Sequence, residues 1–435
     1  MSARARSASR AARRAGRLAA PLALHGGPPA VAAALPPAWP WLSPPARARV
    51  DALLDAGFLS DYALGDTLAE FERVVADYQG CRYALGAASG TAALHMAYHA
   101  VGVRPGDEVI VPAYSFHATV APLFLLGAVP VLCDVDPLTG CIDLADAGAR
   151  VTDRTRAVAV THLWGHPVDP DGLAALRRRG VKVVEDGSHA HGARAGGRLV
   201  GGFGDAAVFS LGARKMVSGG LGGVLVTDDE DVFATALPLG HCHERAQLHL
   251  PVEDVAVGLG TNYRLSPIAA AISIEQYRDL DERIGEKTAV LTGLSERLAG
   301  LPGIRPQHTE PGVTRGGWFG YKARYLADEL GGLRLDHALT ALRAEGLTVD
   351  RPSNQPLHWR PLFTSTRLDP TYYVPGRDRP LYRRGELPGA ERYYAESLSF
   401  PAPHLHRRCD DLLDQYRDGL AKVLAAADRT EGALA

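Results

Sequence analysis

The sequence predicts an α/β fold, with a large domain whose mostly parallel sheet lies between helices and a smaller C-terminal α+β domain. Three observations carry this. Between about residues 83 and 228, short apolar runs, several rich in Val, alternate with stretches of helical length and composition. Past Pro302 that alternation gives way to a few strands and two helices. The 435 residues, 46% hydrophobic and 22% charged, suffice for a large core and a second unit.

The elements follow in order. Residues 1–17 carry six Arg and no acid, then Pro21 interrupts any apolar run, so a disordered tail over 1–25 is expected rather than a targeting peptide. The Pro-rich stretch from Leu22 to Pro45, with Trp39 and Trp41, reads as an extended lead-in anchored by its aromatics. Residues 44–58 and 65–79 read as helices, the second with Phe71, Val74, Val75 and Tyr78 at helical spacing. Strands are expected at 108–112, 129–135, 157–162, 181–185, 206–210 and 224–227, bounded by polar, Gly or Pro residues as buried parallel strands are. Crossover helices are expected at 91–101, 118–126, 144–150 and 171–179, on both faces of the sheet. Helices over 266–283 and 286–299 lead to strands at 319–325 and 347–349 and helices at 335–345 and 409–426, around a turn-rich stretch from 351 to 389. The large domain then spans 26–285 with its lead-in, and the small domain 286–435.

Charge and cysteine usage exclude several classes. A net charge of -2, about -8 once the Arg-rich start is set aside, argues against nucleic acid or an anionic membrane as partner. No stretch approaches the ~20 apolar residues of a membrane span. The five Cys (Cys81, Cys133, Cys141, Cys242, Cys409) form no C-x-x-C pair, so a reduced, cytoplasmic protein is expected.

Three features stand at the ends of strands, where open α/β sheets place their sites. Ala88-Ser89-Gly90-Thr91 is a small-residue turn opening a helix, suited to a phosphate and equally to a plain N-cap. Glu185-Asp186-Gly187-Ser188-His189 ends a strand in carboxylates. Lys215 follows Phe209-Ser210 and precedes the Gly-rich Ser218–Gly223, an unusual place for a merely solubilising lysine. A Lys amine can form a Schiff base with an aldehyde cofactor, and pyridoxal 5'-phosphate also needs an acid at its pyridine nitrogen and a phosphate cradle. Lys215, Asp186 and Gly90/Thr91 supply all three, in the chain order of fold-type I enzymes that use this cofactor.

From about Gly26 to Pro403 the chain resembles the DegT/StrS family of sugar and cyclitol aminotransferases. The matching stretches are Ser89–His95, Pro105–Pro112, Asp134–Pro137, His162–Pro167, Glu185-Asp186 with His191–Ala193, Phe209-Ser210 with Lys215, and Gly260–Arg264. The resemblance implies a cytoplasmic homodimer with shared active sites that moves an amino group from glutamine or glutamate to a keto-cyclitol or keto-sugar in secondary metabolism. It implies that Lys215 carries the cofactor and shuttles the proton, and that Asp186 pairs with the pyridine nitrogen. Ser89, Gly90, Thr91 and Ser210 hold the phosphate, Phe116 stacks on the ring, and Asn262 reaches the phosphate of the neighbouring subunit. His189 stands where many members carry Gln beside the phenolic oxygen, which tilts the acceptor toward cyclitols; a neutral imidazole still donates one hydrogen bond there. Leu221 replaces the Glu usual in the Gly-rich loop.

Other readings stay open at this point. A dehydratase or aromatising enzyme of the aminohydroxybenzoate-synthase kind uses the same lysine. A metal-dependent hydrolase built on Asp186, His189, His191, His241 and His243 leaves Lys215 unexplained. A cofactor-binding sensor without turnover is disfavoured by the intact Lys215, Asp186 and Ser210. Trp318, Tyr321, Lys322 and His358 are candidates for lining the acceptor pocket, or for plain packing.

Overall fold

A computed structural model describes residues 14–241, 243–251, 261–365 and 381–434. Its main sheet has seven strands: β1 (Tyr83–Ala87), β2 (Glu108–Pro112), β3 (Val129–Cys133), β4 (Thr155–Thr161), β5 (Lys182–Asp186), β6 (Ala206–Ser210) and β7 (Gly223–Thr227). Their spatial order is β1-β7-β6-β5-β4-β2-β3. Pairings from β6 through β3 are parallel, and β7 runs antiparallel to both β6 and β1. β2 and β7 are buried along their whole length, as strands covered on both faces must be. Asp N-caps start the helices that follow β3, β4 and β7: Asp143, Asp169 and Asp229 each accept from two backbone amides.

The expected strands stand within two residues of these positions, and one was missed. Tyr83-Ala-Leu-Gly-Ala87 has little strand character of its own; it becomes β1 because it pairs with β7 over all five residues, and the Glu72 carboxylate accepts from the Gly86 amide at 2.8 Å.

This order decides where a site can be. The C-terminal ends of β2, β4, β5 and β6 open on one edge, and β7 begins there, Gly223 lying between Ala87 and Ser210. Helix α1 (Gly90–Ala100) leaves from that same point.

A second hydrophobic cluster forms around a three-stranded sheet of β8 (Ile304–Arg305), β9 (Tyr321–Tyr325) and β10 (Ser397–Phe400), order β8-β9-β10. Helices α2 (Leu280–Leu298), α3 (Leu335–Ala344) and α4 (Asp410–Leu424) cover it. α2 serves both cores, with Ile284 in the first and Leu291 in the second. Two local expectations differ here. Residues 347–349 form no strand; only Asp350 bridges to Ser399. The strand at 397–400 went unforeseen because Ser397-Leu-Ser-Phe is short and gains its partner only from β9.

The lead-in also differs from the tail expected over 1–25. Residues 1–13 lie outside the described ones, but residues 14–19 are helical, and Arg17 pairs with the buried Asp418 at 2.6 Å. Leu22 and Val31 join the second core. Glu345, wholly buried, accepts from the amides of Ala23 (2.7 Å) and Ala30 (3.0 Å) and pairs with Lys422 Nζ at 2.8 Å. An acid with three donors can hold a segment that carries no regular pairing of its own. No helix among the described residues is long and apolar enough to cross a membrane.

Candidate active site

A cavity of about 620 Å³ opens at the C-terminal edge of the main sheet, roofed by residues of the small sheet. A larger one, about 940 Å³, lies between the lead-in and α2, and none of the expected site residues lines it. Of the nine expected residues, Ser89, Gly90, Thr91, Phe116, Asp186, His189, Ser210 and Lys215 all line the smaller cavity. Asn262 does not; it is exposed and accepts from Arg264 Nε at 2.9 Å.

The cradle comes from close backbone approach. Ser89 caps α1 by accepting from the Ala92 amide at 3.0 Å, which leaves the Gly90 and Thr91 amides at the positive end of the helix. A Cβ on Gly223 would lie 2.5 Å from the Ser89 carbonyl carbon, and one on Gly90 would lie 2.9 Å from Ser210 Cβ. Neither position has room for a side chain, so α1 begins directly beside the Ser210 hydroxyl. Gly90→Ala should therefore push α1 off β6 at a cost of about 1–3 kcal/mol. It should weaken phosphate or cofactor binding more than tenfold, measured by equilibrium titration; unchanged affinity would remove Gly90 from the cradle.

Lys215 is positioned from behind. Its carbonyl accepts from Trp39 Nε1 at 2.6 Å, and Arg214 beside it holds a left-handed φ of 68°. The amine lies 3.9 Å from the centre of the Phe319 ring. Burial pushes it down to about 8, and the Asp186 charge limits the fall. A substantial fraction is neutral near pH 7.5, so the amine can act as nucleophile or base.

Asp186, at the end of β5, is 5% exposed. Thr119 Oγ1 donates to its Oδ2 at 2.8 Å, and the Ser188 amide to its Oδ1 at 3.1 Å. Thr119 is tied to Ser115 (2.8 Å), and Ser115 to Thr161 (2.9 Å), which stands opposite Asp186 in the sheet. Its neighbour Glu185 points the other way, where it pairs with His162 and accepts from the amides of Gly201, Phe203 and Gly204. Alternation along a strand sends one carboxylate to the site and the other into the scaffold.

The His189 ring stacks on Phe319 (4.1 Å between centres) and Trp164 (5.1 Å), both at 13°. Burial, then the Lys215 and Lys322 charges, push its pKa well below the ordinary value, so the imidazole is neutral. Phe116 stands half-exposed at the mouth, and Leu221 is exposed at the rim.

Among the four candidates for an acceptor pocket, only Lys322 faces the cavity. Trp318 Nε1 donates to Thr288 (2.9 Å), Tyr321 OH bonds Ser295 (2.7 Å) in the second core, and His358 pairs with Glu391 at 2.8 Å. Thr119, Trp164 and Phe319 were missed. Trp164 has a left-handed φ of 52°, invisible in the sequence, and Phe319 lines the cavity while its neighbour Trp318 joins the second core. No group of three potential metal ligands occurs among the described residues. His241 bonds the Gly86 carbonyl at 3.0 Å, and the His243 side chain lies outside the described residues.

The profile of the DegT/DnrJ/EryC1/StrS aminotransferase family matches residues 44–407. An L-glutamine:scyllo-inosose aminotransferase of Streptomyces griseus is 37% identical over 352 residues, 76% of this chain and 80% of that protein. An L-glutamine:2-deoxy-scyllo-inosose aminotransferase of Streptomyces fradiae is 38% identical over 339 residues, 75% and 80% of the two. A crystal structure of 3-amino-5-hydroxybenzoic acid synthase, 28% identical, superimposes with a TM-score of 0.74 over 90% of this chain and 99% of that one.

Proposed function

This chain belongs to the DegT/DnrJ/EryC1/StrS aminotransferase family, and we propose that it moves the amino group of glutamine onto the keto carbon of a cyclitol in aminocyclitol biosynthesis. One observation carries the reading: a buried amine and a buried, hydroxyl-oriented carboxylate face one cavity with a small-residue helix start between the strands. The names of the relatives from Streptomyces griseus and Streptomyces fradiae support the donor and the acceptor class.

Pyridoxal 5'-phosphate fits the residues present. Gly90 and Gly223 leave space only for backbone at the cradle, and Ser210 adds a hydroxyl there. When bound, this cofactor supplies an electron sink that stabilises negative charge at the carbon losing its proton. Lys215 Nζ would hold it covalently until the donor's amino group takes its place; the freed neutral amine would then take the donor's α-proton and later return a proton to the product. Asp186, its carboxylate kept in place by Thr119 and the Ser188 amide, would hold the proton of the pyridine nitrogen. His189 would offer the N–H of its neutral ring to the phenolic oxygen, and Phe116, at the mouth of the cavity, would pack against the cofactor ring. We propose a homodimer as the working form: Asn262, exposed and outside its own cavity, would reach the phosphate of the partner subunit, and the exposed Tyr62 and Leu59 would be covered at that interface.

The test is a visible spectrum of purified protein with glutamine. A yellow, borohydride-reducible band that glutamine converts to the spectrum of the aminated cofactor is expected, followed by recovery on adding a keto-cyclitol. The likeness to 3-amino-5-hydroxybenzoic acid synthase favours one alternative, an aromatising dehydratase. A yellow band that no amino donor shifts would select it, and a colourless protein that takes up no cofactor would sink both.

A further inference from the structure

Four cationic side chains line the cavity: Arg214, Lys215, Lys322 and Arg351. Lys215 is the cofactor amine, and Arg351 Nε is bound to Asp336 at 2.6 Å. Arg214 is exposed at the rim. Lys322 is different. It sits on β9, only 8% exposed, with its amine 4.4 Å from the centre of the Trp164 ring. Its hydrogen-bond partner is the Ser399 hydroxyl on the adjacent strand, opposite it in register. It forms no ion pair with any described carboxylate. Asp350, the acid whose charge acts on it, is held by Arg343 Nη2 and the Arg351 amide, each at 2.8 Å.

A buried amine with one neutral partner is costly to keep charged, and burial pushes it down to about 7. That makes it responsive to what enters. An amino donor brings a carboxylate, whereas a keto-cyclitol brings only hydroxyls and a carbonyl, and both must pass through one cavity. Facing a carboxylate, the amine is protonated and makes a charge-assisted hydrogen bond; facing a polyol, it can stay neutral and accept from a hydroxyl. Trp164, against which it lies, stacks on His189, so an anion held at Lys322 lies beside the cofactor-facing side chains.

We propose that Lys322 anchors the α-carboxylate of the amino donor. The proposal rests on the aminotransferase reading of the cavity. It makes Lys322 the residue through which one site accepts an anionic donor and an uncharged acceptor in turn.

Calorimetric binding to the holoenzyme tests it, with 4-carbamoylbutanoate (glutamine without its amino group) as an unreactive probe and pentanediamide as its uncharged counterpart. The wild type should prefer the carboxylate by roughly tenfold to a hundredfold. K322M should lose most of that preference by binding the carboxylate more weakly, with the diamide unchanged; K322R should restore most of it. A wild type without the preference overturns the proposal whatever the variants do. So does K322M binding the carboxylate as tightly as wild type, or losing the diamide to the same extent, which marks Lys322 as packing. Glutamine bleaching of the yellow band is read separately: if the preference holds while the band never shifts, the anchor stands and the aminotransferase reading fails.

Discussion

Lys215→Ala is expected to lower turnover by more than about a thousandfold, because in the mechanism we propose one substitution removes both the group that would bind the cofactor covalently and the base that would move the proton. The fold should survive. The change deletes a partly desolvated amine, and the backbone contact to Trp39 uses the Lys215 carbonyl, which alanine keeps. The variant should therefore show wild-type far-UV circular dichroism and no borohydride-reducible band. Multiple turnovers by it would rule out the mechanism. The same lysine sets a pH dependence for loading the apoprotein. Only the neutral amine attacks an aldehyde, and burial lowers it from 10.5 to about 8. The uptake rate of pyridoxal 5'-phosphate should rise with pH up to about 8 and level off above it. An uptake still climbing steeply between pH 9 and 10.5 would show an ordinary, solvated lysine.

Asp186→Asn should have the second largest effect. The substitution keeps the shape and an oxygen for Thr119 but cannot stabilise a protonated ring nitrogen, so the electron sink is weakened. Both half-reactions should slow by about a hundredfold or more, read by stopped-flow bleaching with glutamine and recovery with acceptor. Cofactor affinity should fall as well, by spectrophotometric titration. A rate within threefold of wild type would mean that Asp186 is only a cap for the following turn.

Most of the candidate site was legible because its parts are local. A lysine in a Gly-rich loop, an acid at a strand end and a small-residue helix start are each specified within about ten residues. Their chain order alone matched one kind of cofactor chemistry. The strands were legible for the same reason: a Val-rich run such as Glu108–Pro112 is buried on both faces wherever it sits in the sheet.

What the sequence determined, then, was the layered α/β class and the local segments carrying Lys215, Asp186 and the Ser89–Thr91 turn, which the fold brings to one cavity. The tertiary structure decided which side chains converge on them. Thr119 reaches Asp186 from 67 positions away, and β1 exists only because β7 pairs with it. Trp318, Tyr321 and Lys322 look alike as candidates, yet Trp318 and Tyr321 turn into the second core while Lys322, with the unforeseen Phe319, faces the cavity. The lead-in is held by Glu345, more than 300 residues downstream. Periodicity and motif spacing report on neighbours along the chain. Which face of a turn is buried, and which distant donor completes a buried acid, depend on packing between elements, and that information lies in no short segment.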